Sequence, residues 1–133
     1  MLKRRESAIQ RHDLEALSLL YAPDCVVESP LAAGTVQGRQ AVTRVHQALF
    51  DAFPDFSMTE EQVLIDGDRA AVAGVVTGTY TGGFMGLPPS GKQIRFLVVV
   101  MMTFQDGLIV SERRVYDFTG MLVQAGVLKA RPA

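Results

Sequence analysis

Asp117 stands where a β-leaning run, Val115 and Tyr116, meets an apolar helical turn, Met121 and Leu122. A carboxylate at such a junction has two uses. Facing solvent, it caps the helix by accepting from the free N–H groups of the first turn. Facing inward, it needs a partner or a raised pKa, and a raised pKa suits general acid–base chemistry. Strand alternation places Arg113 and Val115 on the face of Asp117, with Glu112, Arg114 and Tyr116 on the other. If the face of Asp117 is concave, Arg113 is the neighbour that keeps it ionised. If Arg113 reaches solvent, Asp117 is left among apolar groups.

The remaining reactive groups are more isolated. His12 falls in an inter-helix loop and reads as a surface or capping residue. His46 lies one turn after Val42, near the edge of an apolar helical stripe, and reads as a partly buried histidine that could face a cavity. No third ligand stands at a recognisable spacing from them, so no metal site is expected. Asp55, after Phe53 and Pro54, reads as a turn residue. Cys25 is the only cysteine, so no internal disulfide forms, and its neighbours Val26 and Val27 indicate a buried thiol rather than a nucleophile. Gly82, Gly83, Gly86 and Gly91 do not precede a helix, so they make no phosphate loop.

The elements that must position these groups come in two blocks, within a single domain spanning 1–133. Helical patterns cover 2–10, 13–21 (with Asp13 as N-cap) and the residues from Arg39 to Phe53, where Val42, Val45, Leu49 and Phe53 form one stripe that Phe50 widens. A short strand over 25–29 and a loop over 31–38 lie between the second and third. Strands follow at 58–65, 69–80, 92–104 and 108–116, with tight turns at Asp66–Asp68 and Gln105–Gly107. The tail, 127–133, reads as disordered or packed on a partner. Helices followed by hairpin-linked strands indicate an α+β fold, with helices on one face of a bent antiparallel sheet. The chain has 13 Lys and Arg against 14 Asp and Glu, a net charge of −1, which leaves no basic footprint for nucleic acid. The apolar run at 96–102 is too short to span a membrane, and the basic stretch 1–11 lacks a signal-peptide core. A cytoplasmic protein with no membrane partner is the expectation.

Several motifs, taken in order, resemble the SnoaL-like polyketide cyclase family. They are Leu-Tyr-Ala-Pro-Asp at 20–24, Ala-Phe-Pro-Asp at 52–55, Gly-Thr-Tyr-Thr-Gly-Gly-Phe-Met-Gly-Leu-Pro-Pro-Ser-Gly-Lys at 78–92, Phe-Gln-Asp-Gly-Leu-Ile-Val at 104–110 and Asp-Phe-Thr-Gly-Met-Leu-Val-Gln-Ala-Gly at 117–126. The resemblance implies a nuclear-transport-factor-like cone around one apolar pocket, a homodimer, no cofactor or metal, and a hydrophobic small molecule as substrate. It also implies that Asp117 is the acid–base residue of an intramolecular aldol ring closure. Tyr80 stands where members often have histidine. Measured against the ketosteroid isomerases that share the cone, Ser29 takes the place of the base, and Val100 falls near that of an oxyanion aspartate. The expected site is therefore Asp117 as catalyst, with Arg113 or Tyr80 as polar support and Phe50, Phe84, Met85, Met101 and His46 as substrate contacts. The competing expectation is a non-catalytic binding or dimerisation module on the same fold.

Overall fold

A computed structural model describes residues 1–32, 34–84 and 86–129. Helix α1 (Leu2–Gln10) and the short α2 (Leu14–Ser18) lead into strand β1 (Tyr21–Ser29), followed by a 3-10 turn at Pro30–Ala32 and strand β2 (Gly34–Gln37). Helix α3 (Arg39–Ala52) comes next. Strands β3 (Ser57–Asp66), β4 (Arg69–Thr79), β5 (Gln93–Gln105) and β6 (Leu108–Val115) and helix α4 (Phe118–Gln124) complete the chain. No helix is long and apolar enough to cross a membrane.

The six strands form one curved sheet in the order β2-β1-β6-β5-β4-β3. The sheet is not wholly antiparallel as expected, because β1 and β6 run parallel. Strand β1 starts four residues earlier than its sequence suggests. Pro23 hides it: proline cannot donate to a ladder, and the β1–β6 register shifts between Tyr21 and Val26 to accommodate it. The stretch read as a loop over 31–38 contains β2, a short edge strand paired with β1. Helix α2 is correspondingly shorter than its periodicity implies, although Asp13 caps it as expected by accepting from Ala16 N–H at 3.0 Å. In the tail, Val127 packs against the core, and 130–133 lie outside the described residues.

Alternation sorts the sheet into two faces. On β5, Ile94, Val98, Val100 and Met102 are buried under the helices, whereas Leu97, Val99 and Met101 are exposed on the outer face. Ladder partners extend both rows. Met102 pairs with Glu112 on β6, which pairs with Val27 on β1, all inward; Met101 pairs with Arg113, which pairs with Glu28, all outward. Helix α3 lies over the inner face on Val42, His46 and Phe50, an i, i+4, i+8 stripe. His46 is therefore at the centre of the buried stripe rather than its edge.

Past Val115 the parity continues into the corner before α4. Tyr116 turns inward, stacking on Phe96 with ring centroids 5.1 Å apart. Asp117 turns outward, is exposed, and caps α4 by accepting from Gly120 N–H at 2.8 Å. A Cβ at Gly120 would collide with that carboxylate, which accounts for the glycine. Asp117→Ala should cost about 1 kcal/mol in urea unfolding, and Asp117→Asn, which keeps the cap, should be close to neutral. A loss of several kcal/mol in the Asn variant would contradict a purely capping role.

Candidate active site

Beneath the helices the inner face carries a group of polar side chains whose chemistry only long-range pairing could reveal. Glu112, on β6, is 1% exposed and sits at its centre. Its Oε2 accepts from Arg114 Nε at 2.6 Å, and its Oε1 accepts from the Tyr21 hydroxyl at 2.7 Å. Arg5, from α1, approaches the same Oε1 with Nη2 at 3.4 Å. Arg114 then reaches across to α3, where its Nη2 donates to His46 Nε2 at 2.6 Å.

These contacts set the protonation states. Burial pushes the Glu112 carboxyl up, but Arg114, Arg5 and the Tyr21 hydroxyl outweigh it and bring the carboxyl down to about 2. Burial and the neighbouring carboxylate push the Tyr21 hydroxyl up to about 12. Burial also opposes the charges of both arginines, yet Glu112 holds them above the ordinary guanidinium value. His46 is driven well below the usual imidazole range by burial and then by Arg114. A guanidinium can only donate, so a neutral His46 accepts at Nε2 and carries its proton on Nδ1.

Arg5, His46 and Arg114 line a cavity of about 50 Å³, where Ser29 and Tyr116 add hydroxyls. Phe50, Phe56, Phe96, Val98 and Met121 are among its apolar lining. Burial raises the Tyr116 hydroxyl's pKa, although a hydrogen bond with Ser29 opposes the shift. The polar groups of this mostly apolar wall thus include two guanidinium groups, while Glu112 behind them is already committed to three partners. Such a wall suits an oxygen that carries or develops negative charge.

Of the expected site residues, His46 and Phe50 line this cavity, as do Ser29 and Val100. The others are placed elsewhere. Asp117 is outside it, at the cap of α4. Arg113 is 59% exposed on the outer face and pairs with Glu28 at 3.1 Å, so it supports neither Asp117 nor the cavity. Met101 shares that outer face and is 41% exposed. Tyr80 is buried, but its hydroxyl donates to the Leu87 carbonyl at 2.6 Å and its ring leans on Phe53. Phe84 is buried and bridges to Leu87 across the β4–β5 connection, away from the cavity. Met85 lies outside the described residues.

The other reactive groups have structural settings. His12 stacks on Phe50 at 4.1 Å and bonds the Phe56 carbonyl through Nε2 at 2.8 Å, so it is more than a surface residue. Asp55 accepts from both the N–H and the hydroxyl of Thr79, whose hydrogen bonds hold its carboxyl below the usual value. Cys25 is fully buried, with its thiol pushed up by burial.

The profile of SnoaL-like polyketide cyclases matches residues 1–125. The chain belongs to the SnoaL-like polyketide cyclase family. IdmH from Streptomyces antibioticus, a candidate polyketide cyclase, is 32% identical over 94% of this chain and 95% of its own, with a TM-score of 0.79. AclR from Streptomyces galilaeus, a candidate hydroxylase, is 28% identical over 98% of this chain and 82% of its own, with a TM-score of 0.84. A Catenulispora acidiphila protein with a ketosteroid isomerase-like fold covers 98% of this chain and 96% of its own at a TM-score of 0.80. At 17% identity it shows the fold alone, the nuclear-transport-factor-like cone. Among curated proteins none matches the chain.

In this SnoaL-like chain the inner-wall charges also make folding sensitive to acid. Glu112's folded pKa lies below its ordinary 4.5, so its contribution is complete above 4.5 and is lost as pH falls towards 2. The depressed His46 pKa acts in the same direction, beginning below 6.5. Melting temperature should therefore fall in acid, most steeply below pH 4.5. Glu112→Gln, which strands two buried guanidinium groups, should lower stability by about 3 kcal/mol or more in urea and flatten the acid limb.

Proposed function

We propose that this family member is a small-molecule enzyme that carries out cofactor-free acid–base chemistry, an aldol cyclisation or isomerisation, on a hydrophobic carbonyl compound. His46 takes the proton-transfer role that the family resemblance had assigned to Asp117. The observation that carries this reading is the neutral, buried His46 held by Arg114 at the wall of the apolar cavity. When a substrate carbonyl oxygen takes the Arg114 Nη2 donor, His46 Nε2 is released as an acceptor. It removes a proton from the adjacent carbon, and the bonding pair moves onto the carbonyl oxygen as an enolate beside Arg114. In a ring closure the enolate carbon then bonds to a second carbonyl carbon of the same molecule, whose oxygen takes the proton back from His46.

A cavity of about 50 Å³ accepts only part of such a molecule, since small-molecule sites run to roughly 300 Å³ or more. Binding must therefore move lining side chains. Met58 and Met121, both on the cavity wall, are unbranched and repack readily. The small volume and the outward Asp117 also favour a second reading, a binding module without turnover.

Proton exchange separates the two. In deuterium oxide, the protein should speed loss of the α-proton NMR signal of α-tetralone over buffer, and His46→Gln should slow that exchange about 100-fold or more. Because His46 stays neutral below its ordinary 6.5, the wild-type rate should hold through that pH and decline only in stronger acid. Binding without exchange would support the module.

A homodimer through the outer face of the sheet is part of the same proposal. Leu97, Val99 and Met101 project together from β5, and Val115 is the ladder partner of Val99. Leu97 is 70% exposed, and the row makes an apolar surface bordered by the Arg113–Glu28 pair, the pattern of a buried patch with a polar rim. Sedimentation should give twice the chain mass, and Leu97→Lys with Met101→Glu should halve it. A monomer at micromolar concentration would rule the dimer out.

A further inference from the structure

Arg5 is the member of the buried cluster whose bonding is incomplete. It is 2% exposed, and its Nη2 meets Glu112, but Nε and Nη1 have no hydrogen-bond partner. Buried donors without partners are costly, and few native groups remain so. Arg5 also lines the cavity beside His46 and Arg114.

The charge balance points the same way. Arg5 and Arg114 are both held protonated, Glu112 is the one carboxylate between them, His46 is neutral and Tyr21 keeps its proton. One positive charge is left over within this cluster. The nearest further carboxyl groups make no ion pair with Arg5 among the described residues. Glu60 is pushed up by burial and by Glu6 despite Arg5, and its Oε2 is itself without a partner. Among the described residues, Glu112 is the ion-pair partner of Arg5. A water molecule could satisfy a donor here, but it could not neutralise the charge.

We infer that the ligand of this cavity is an anion, a hydrophobic molecule ending in a carboxylate that bonds the idle donors of Arg5 while its apolar body lies against Phe50, Phe56 and Phe96. The inference rests on the cavity being the small-molecule site, but not on His46 moving a proton. Under it, Arg114 remains available to a second oxygen of the same molecule, so the two guanidinium groups divide the work of anchoring and activation.

Cinnamate and methyl cinnamate, titrated calorimetrically, make a matched test. Cinnamate should bind about tenfold or more tightly than its ester. Arg5→Met should remove that preference, and Arg5→Lys, which keeps the charge, should retain much of it. Should Arg5→Met fail to fold, the wild-type comparison and Arg5→Lys decide the matter. Equal affinity for acid and ester, or a preference that survives in Arg5→Met, would overturn the inference. If neither compound binds, the inference falls together with the cavity as a small-molecule site. If cinnamate is preferred while α-tetralone is not exchanged, the anion site stands and the acid–base reading falls.

Discussion

The burial of one carboxylate, Glu112, is the constraint on which the rest of the structure depends. An ionised carboxylate in an apolar interior persists only where several donors meet it at close range. Here those donors come from α1, β1 and β6, and through Arg114 the set extends to α3. Four elements that span most of the chain are thereby held to one point. A buried ion cluster of this kind adds less net stability than an apolar core of equal volume would. What it does is fix geometry, because displacing Glu112 leaves two buried guanidinium groups unpaired.

Much of the fold was legible from local pattern. The helix at Arg39, the hairpin turns at Gly67 and Gly107, and the Asp13 cap follow from periodicity and turn chemistry, and each stands where expected. The alternation along β6 was also read correctly: Arg113, Val115 and Asp117 share one face, Glu112, Arg114 and Tyr116 the other. What the pattern left open was which face the helices cover. Glutamate and arginine usually point to solvent, and nothing near them in sequence marks Glu112 and Arg114 as exceptions. Their partners, Arg5, Tyr21 and His46, lie 68 to 107 residues away along the chain. The one local hint was in α1, where Arg5 falls at helical spacing from the buried Ala8 and Ile9. The family motifs identified the cone, but the inward residues of the site came from the crossing of its elements.

The setting also strengthens each polar contact. Aromatic and aliphatic walls exclude water from the cluster, so charge–dipole and charge–charge interactions act with less screening than at the surface. The same residue types show the contrast across the thickness of the sheet. Arg113 and Glu28 form an exposed pair of little energetic consequence, whereas Arg114 and Glu112, one residue further along β6 and one back, hold each other ionised in the core.

The parallel pairing of β1 with β6 has a consequence for biosynthesis. Hairpin strands can zip together as they emerge, but β1 must wait for a strand more than eighty residues later. Closing so long a loop is slow, since its entropy must be spent before the contacts form. During translation the first helices and β1 exist without Glu112 or Arg114, so Arg5 and Tyr21 must stay hydrated until the last strand leaves the ribosome. The polar wall of the cavity is therefore assembled last, and a ribosome stalled before β6 would carry a nascent chain that has most of its core but lacks Glu112 and Arg114.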